Sequence, residues 1–190
     1  MKILVAGEFS GIVREAFKAK GHAAWSCDLL DTEIPGQHLK CDVRDILGDN
    51  WDLMICHPPC THLAVSGARW FKDKKKEQKE ALDFVRLLLN APVEKICLEN
   101  PVSVISSKIR KPDQIIQPWM FGDLYKKTTC LWLKNLPKLI PTCKNGYNLM
   151  MKLPKKDREK IHYQSPGPNR GLIRSITPQG FANAIADQWG

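Results

Sequence analysis

Cys60 closes the run Ile55-Cys56-His57-Pro58-Pro59-Cys60, and Glu99 lies in Leu98-Glu99-Asn100-Pro101. Cysteine is the most intrinsically nucleophilic side chain near neutral pH, and a fixed carboxyl beside it could donate or accept a proton. The two prolines before Cys60 fix φ and remove amide donors, so the turn presenting the thiol is stiff. Basic surroundings would favour the thiolate. Two other readings use the same residues. One is a strand-end loop with an unreactive cysteine; the other is a zinc site from Cys56, His57, Cys60 and His62. Residues so close around a Pro-Pro turn cannot easily all face one ion, and there is no second CxxC-type pair, so no metal is assigned.

Both segments follow short apolar runs, 52–56 and 93–98, that read as buried parallel strands. Their ends would converge at the carboxyl edge of a sheet, where open α/β folds place ligands. Further strands are expected at 3–6, 23–26 and, weakly, 40–42. Helices are expected at 11–20, with Ile12, Ala16 and Phe17 on one face, and at 74–90, with Leu82, Val85 or Arg86, and Leu89 recurring. Such alternation predicts an α/β fold with a doubly wound, mostly parallel sheet. After Pro101 the chain is broken by prolines. Residues 128–133 read as a strand and 134–176 as an irregular, basic, largely extended insert. A final helix at 178–188 carries Phe181, Ala182, Ile185, Ala186 and Trp189 as its apolar face.

The turn after the first strand contains Gly7, Phe9, Ser10 and Gly11, with Glu8 inside it, and Asp28 ends the second strand. A glycine-containing turn followed by an acid is how doubly wound folds hold an adenosine-bearing cofactor, so Asp28 would accept from ribose hydroxyls.

A length of 190 residues fits one domain, 1–190, and 43% apolar content fits a globular chain. The seven cysteines are odd in number and several sit in apolar runs, so most read as small buried hydrophobes rather than a disulfide framework. No membrane span or signal pattern is read, and a cytoplasmic protein is expected, in a bacterial cell or a virus-infected host cell. The net charge of +9 raises the expectation of a polyanionic partner.

The Pro-Pro-Cys and Glu-Asn elements together resemble those of DNA cytosine-5 methyltransferases. Leu63 and Gly67 meet the positions of a hydrophobic residue and a glycine that follow the family's cysteine; His57 and Thr61 depart from its glycine and glutamine. The resemblance implies a Rossmann-like, S-adenosylmethionine-dependent methyltransferase fold in which Cys60 is the nucleophile and Glu99 holds the base. It further implies that Asp42 meets the adenine amino group, that Phe9 packs on the cofactor and that Pro58 borders it. Tyr125 to Leu133 is similar to the hydrophobic half of the family's Gln-x-Arg-x-Arg strand. Its arginine positions fall on Thr128 and Cys130, leaving Lys126 and Lys127 as the cations there; Asn100, Lys126, Lys127 and Thr128 are the candidate substrate contacts. Arg174-Ser-Ile-Thr-Pro178 resembles the Arg-x-Leu-Thr-Pro element that braces the domain. The family's large target-recognition domain is reduced to 134–176, a form associated with virus-encoded members. The implied activity is methyl transfer to carbon 5 of cytosine in DNA, either at a very short or absent target sequence or with a protein partner or a second copy supplying target recognition. The alternatives are a non-catalytic DNA-binding or decoy protein on the same fold, and a pyrimidine-modifying enzyme acting on another base or nucleotide.

Overall fold

The computed structural model describes residues 1–190, and its centre is one sheet with helices against both faces. Across the sheet the strands lie in the order β3 (His38–Lys40), β2 (Ala23–Asp28), β1 (Lys2–Ala6), β4 (Leu53–Cys56), β5 (Lys95–Pro101), β7 (Thr129–Lys134) and β6 (Gln114–Ile116). β7 runs antiparallel to both its neighbours, and the remaining pairs are parallel.

Side chains alternate across a strand, so each strand feeds two cores. Ile3, Val5, Leu53 and Ile55 pack under α1 (Ile12–Ala19) and α7 (Gln179–Trp189). Leu4, Ala6, Met54 and Cys56 pack under α2 (Lys75–Leu89) and α3 (Ile105–Lys108). The near-continuous apolar strands follow from burial on both faces. The result is the doubly wound, Rossmann-like α/β fold expected from the alternation.

The buried stripe of α1 is Val13, Ala16 and Phe17, with Ile12 only partly buried. Arg14 on the same helix is fully buried. In α2 the buried residues are Leu82, Val85 and Leu88 rather than Leu89. The weak third strand sits at 38–40, pairing Asp28 with Lys40. β5 runs to Pro101 because β7 pairs with its extension, setting Glu99 opposite Leu131. Glu99 therefore lies inside a strand, not beyond one.

Segment 134–176, expected as extended loop with short elements, has three short helices as those elements, α4 (Gly146–Met151), α5 (Lys155–Arg158) and α6 (Arg170–Ser175). Helices of six residues or fewer carry too little 3.6-residue periodicity to stand out in sequence. They are tied back to the sheet. The Cys143 amide donates to Met120 O at 2.9 Å, and the Lys126 amide to Arg158 O at 2.8 Å. No helix is long and apolar enough to cross a membrane.

Candidate active site

The strand order reverses between β1 and β4, which run to opposite halves of the sheet. The crevice at such a reversal is where this fold class binds ligands. Here the His57 amide donates to Ala6 O at 2.8 Å, continuing the β1–β4 pairing past the last strand residues. Gly7 has φ +75°, and a Cβ on it would come within 2.5 Å of the His57 carbonyl oxygen. Only glycine allows the two turns to approach this closely.

Glu8 follows at once and is 4% exposed. One carboxylate oxygen accepts from the Val13 amide at 2.6 Å and the other from the Arg14 amide at 3.1 Å. Ser10 Oγ donates to the first at 3.3 Å. The turn thus neutralises its own helix N-terminus, with a side-chain carboxylate where glycine-rich turns leave the amides open. Burial nevertheless pushes the Glu8 carboxyl up, against these amides and a charge on His57.

Beyond these turns lies a cleft of about 450 Å³ that brings together Cys60, Glu99, His57, Lys127 and Arg174. Cys60 is exposed, whereas Cys27, Cys56, Cys97 and Cys130 are buried, and all seven cysteines are free. Cys56 points away into the core and donates to Cys97 O at 3.5 Å. The four residues considered as a zinc set therefore do not converge.

His57 Nδ1 lies 2.8 Å from Glu99 Oε2, with both side chains 12% exposed. Burial pushes the Glu99 carboxyl up, but the hydrogen bond and charge of His57 and the ammonium of Lys127 prevail and hold it below the usual range. As an ionised carboxylate, Glu99 accepts and Nδ1 donates. Nε2 of the same ring is buried without a partner. Lys127 Nζ donates to Ile176 O at 2.8 Å, and its burial lowers its own affinity for the proton.

The thiol of Cys60 goes the other way from the expectation. Although it opens on the cleft, the protein around it and the Glu99 carboxylate push its pKa up, outweighing Arg174 and Lys127. Basic surroundings do not prevail because desolvation of the thiol, with the Glu99 carboxylate added to it, outweighs the two cations.

A second cavity of about 690 Å³ adjoins the first and shares Gly7, Phe9, His57, Pro58 and Cys60 with it. Asp28 and Asp42 stand on its wall. Asp28 Oδ1 accepts from the Leu30 amide at 3.0 Å. Asp42 is committed more fully. Arg44 grips both its oxygens, with Nη2 at 2.6 Å from Oδ2, and holds its carboxyl well below the usual range. The cavity suits an adenosine-bearing ligand in size and in its acid at the end of β2. Its apolar wall is made by Leu29, Leu30, Val43 and Phe84.

Several expected contacts are placed differently. Lys126 is exposed and pairs with Glu159 at 3.3 Å, away from the cleft. Gly11, φ +78°, borders neither cavity; it makes room for the Arg14 guanidinium, which a Cβ would meet at 2.7 Å. Asn100 is 1% exposed and donates to Pro58 O at 3.0 Å, bracing the Pro-Pro turn from β5. Thr128 lines the cleft and accepts from Gln117 Nε2 at 2.7 Å. The sequence reading missed His57 and Arg174 as cleft residues. For His57 the signal was its departure from the family's glycine. Arg174 stood out in sequence only as part of a bracing element; the hydrogen bonds of Lys127 to the Ser175 and Ile176 carbonyls seat the end of α6 at the cleft.

No protein-family model and no curated protein matches this chain. Among solved structures the chain is similar to one described as a candidate DNA modification methyltransferase encoded within an E. coli prophage, at 15% sequence identity and a TM-score of 0.48. The match covers 70% of this chain and 46% of the other, so the chain spans less than half the length of that protein.

Proposed function

We propose that the protein transfers a methyl group from S-adenosylmethionine to carbon 5 of cytosine in DNA through a covalent Cys60 adduct. One observation supports this above the others: Cys60, the exposed cysteine, sits where the two cavities meet and shares its cleft with Glu99. A cytosine in the smaller cavity would lie beside both groups. The larger cavity would hold the cofactor, with Asp28 on the ribose, Phe9 and Pro58 at the boundary and Gly7 allowing close approach. The cofactor supplies an electrophilic methyl.

Cys60 adds as thiolate to carbon 6, which makes carbon 5 nucleophilic. Glu99 holds the ring at N3, where protonation makes carbon 6 more electrophilic. Lys127 and Arg174 supply the positive charge that the altered strand lacks, toward the oxygens of the target nucleotide. Reaching a base in duplex DNA requires extruding it, at a cost of a few kcal/mol that is lowest for single strands or mismatches.

The non-catalytic reading has one observation in its favour, the raised pKa of the Cys60 thiol. The two readings part on adduct formation. Protein is incubated with labelled S-adenosylmethionine and DNA containing 5-fluorocytosine, duplex and single-stranded. The native chain is expected to form a denaturant-stable adduct and Cys60→Ala none. DNA binding without an adduct, together with no calorimetric signal for the cofactor, would sink the methyltransferase proposal.

A further inference from the structure

Adduct formation needs a proton at N3 of the ring and none on sulfur. The site by itself has the reverse arrangement, with Glu99 held as a carboxylate and Cys60 as a thiol. Glu99 therefore has no proton of its own to give. The nearest one is on His57 Nδ1, 2.8 Å away and shielded from water.

We propose that His57 is the proton store of the site, passing its Nδ1 proton through Glu99 to N3 of the target ring and taking it back when the product is released. The role rests on the adduct chemistry proposed above. The role requires hydrogen on both ring nitrogens of His57 beside an ionised Glu99 before the ring is attacked. The Cys60 thiol releases its proton to water in the open cleft and sulfur bonds to carbon 6. Electrons of the carbon 5–carbon 6 double bond shift toward N3. N3 takes a proton from Glu99 as Glu99 takes the Nδ1 proton, leaving a neutral imidazole protonated on Nε2. After methyl transfer the carbon 5 proton leaves to water, the carbon–sulfur bond breaks with its electron pair on sulfur, and the thiolate regains a proton from water. The N3 proton then returns through Glu99 to Nδ1. Imidazole and carboxylate end as they began.

The surroundings of the ring support this. His57, Glu8 and Glu99 lie on or just after three adjacent strands, β4, β1 and β5, with the imidazole bonded to Glu99 and the Glu8 carboxylate turned onto the α1 amides. Glu8 is sensitive to charge on His57, and Glu99 is hydrogen-bonded to it. The other charged groups are Arg14 behind Glu8, Lys127 beyond Glu99, and Arg174 across the cleft by Cys60. Nε2 is buried and has no partner, so the contact to Glu99 is the ring's one hydrogen bond within the protein. A purely structural histidine would be expected to use both nitrogens.

The test is His57→Asn, whose amide can still donate to Glu99 but stores no titratable proton. Adduct formation with 5-fluorocytosine DNA is expected to slow about a hundredfold or more, the usual worth of a positioned proton donor. DNA affinity should stay unchanged, and the fall in rate at high pH should flatten. Native rate and pH profile in His57→Asn would overturn the role while leaving the adduct chemistry standing. Should the native protein trap no DNA, the methyl-transfer reading fails first. Nitrogen-15 spectra of the native imidazole then judge the store separately. Hydrogen on both ring nitrogens, with the Nδ1 signal lost in Glu99→Gln, is expected; a single neutral tautomer in the native protein would overturn it. The same spectra decide the matter if His57→Asn does not fold.

Discussion

At Cys60 two sets of charges compete over one proton. Glu99 and the surrounding protein favour the thiol, while Arg174 and Lys127 favour the thiolate and lose. The thiolate is the reactive form, so alkylation reports the balance directly. Native protein should react slowly with iodoacetamide at pH 7, its rate rising beyond the free-thiol range of about 8.5. Glu99→Gln removes a negative charge and should move the profile to lower pH. Arg174→Gln removes a positive one and should move it to higher pH. A shift of either variant in the opposite sense would refute this account of the cleft.

At the scale of elements, the segment after β2 is held by one residue of α1. Arg14 is 0% exposed. Its Nη1 donates to Ser26 Oγ at 2.8 Å and Thr32 Oγ1 at 3.2 Å, and its Nη2 to Ile34 O at 2.6 Å. Nε pairs with Glu15 at 2.9 Å. A Cβ on Gly36 would meet the guanidinium at 2.8 Å, so that glycine is required by a close approach. The loop so latched includes Leu29 and Leu30 of the larger cavity. Arg14→Met keeps much of the buried volume but strands those acceptors. Leaving buried acceptors unsatisfied costs about 1–3 kcal/mol each, so the variant should lose about 3 kcal/mol. A urea midpoint within error of the native one would show that the latch carries no stability.

For the whole molecule, the net charge of +9 belongs to a chain whose proposed reactive cleft has Lys127 and Arg174 on its wall. Nearby, the turn bordering the cleft leads through Arg69, stacked 5.0 Å over the half-exposed Trp70, to Lys72, Lys74, Lys75 and Lys76. A surface of this kind grips phosphates without reading bases, and its affinity falls as salt displaces it from the polyanion. DNA binding measured by fluorescence anisotropy should therefore weaken steeply between low and moderate salt and vary little between unrelated sequences. Affinity independent of salt would exclude this face as the DNA contact.

Residue order alone settled those features that depend on near neighbours. Alternating apolar runs marked β1, β2, β4, β5 and β7, since a strand buried on both faces must be apolar throughout. The stiff Pro-Pro-Cys turn and the placement of Cys60, Glu99, Asp28 and Asp42 near strand ends followed from the same pattern. Tertiary structure decided what depends on distant partners. Antiparallel pairing with β7 drew Glu99 into β5. Folding back of 134–176 as short helices brought Arg174 to the cleft and left Lys126 outside it. Adjacency of β4 and β5 set His57 against Glu99. The ionisation of Cys60 and Glu99 depends on the sum of those through-space charges and on burial. Neither is a property of residues next to one another in the chain.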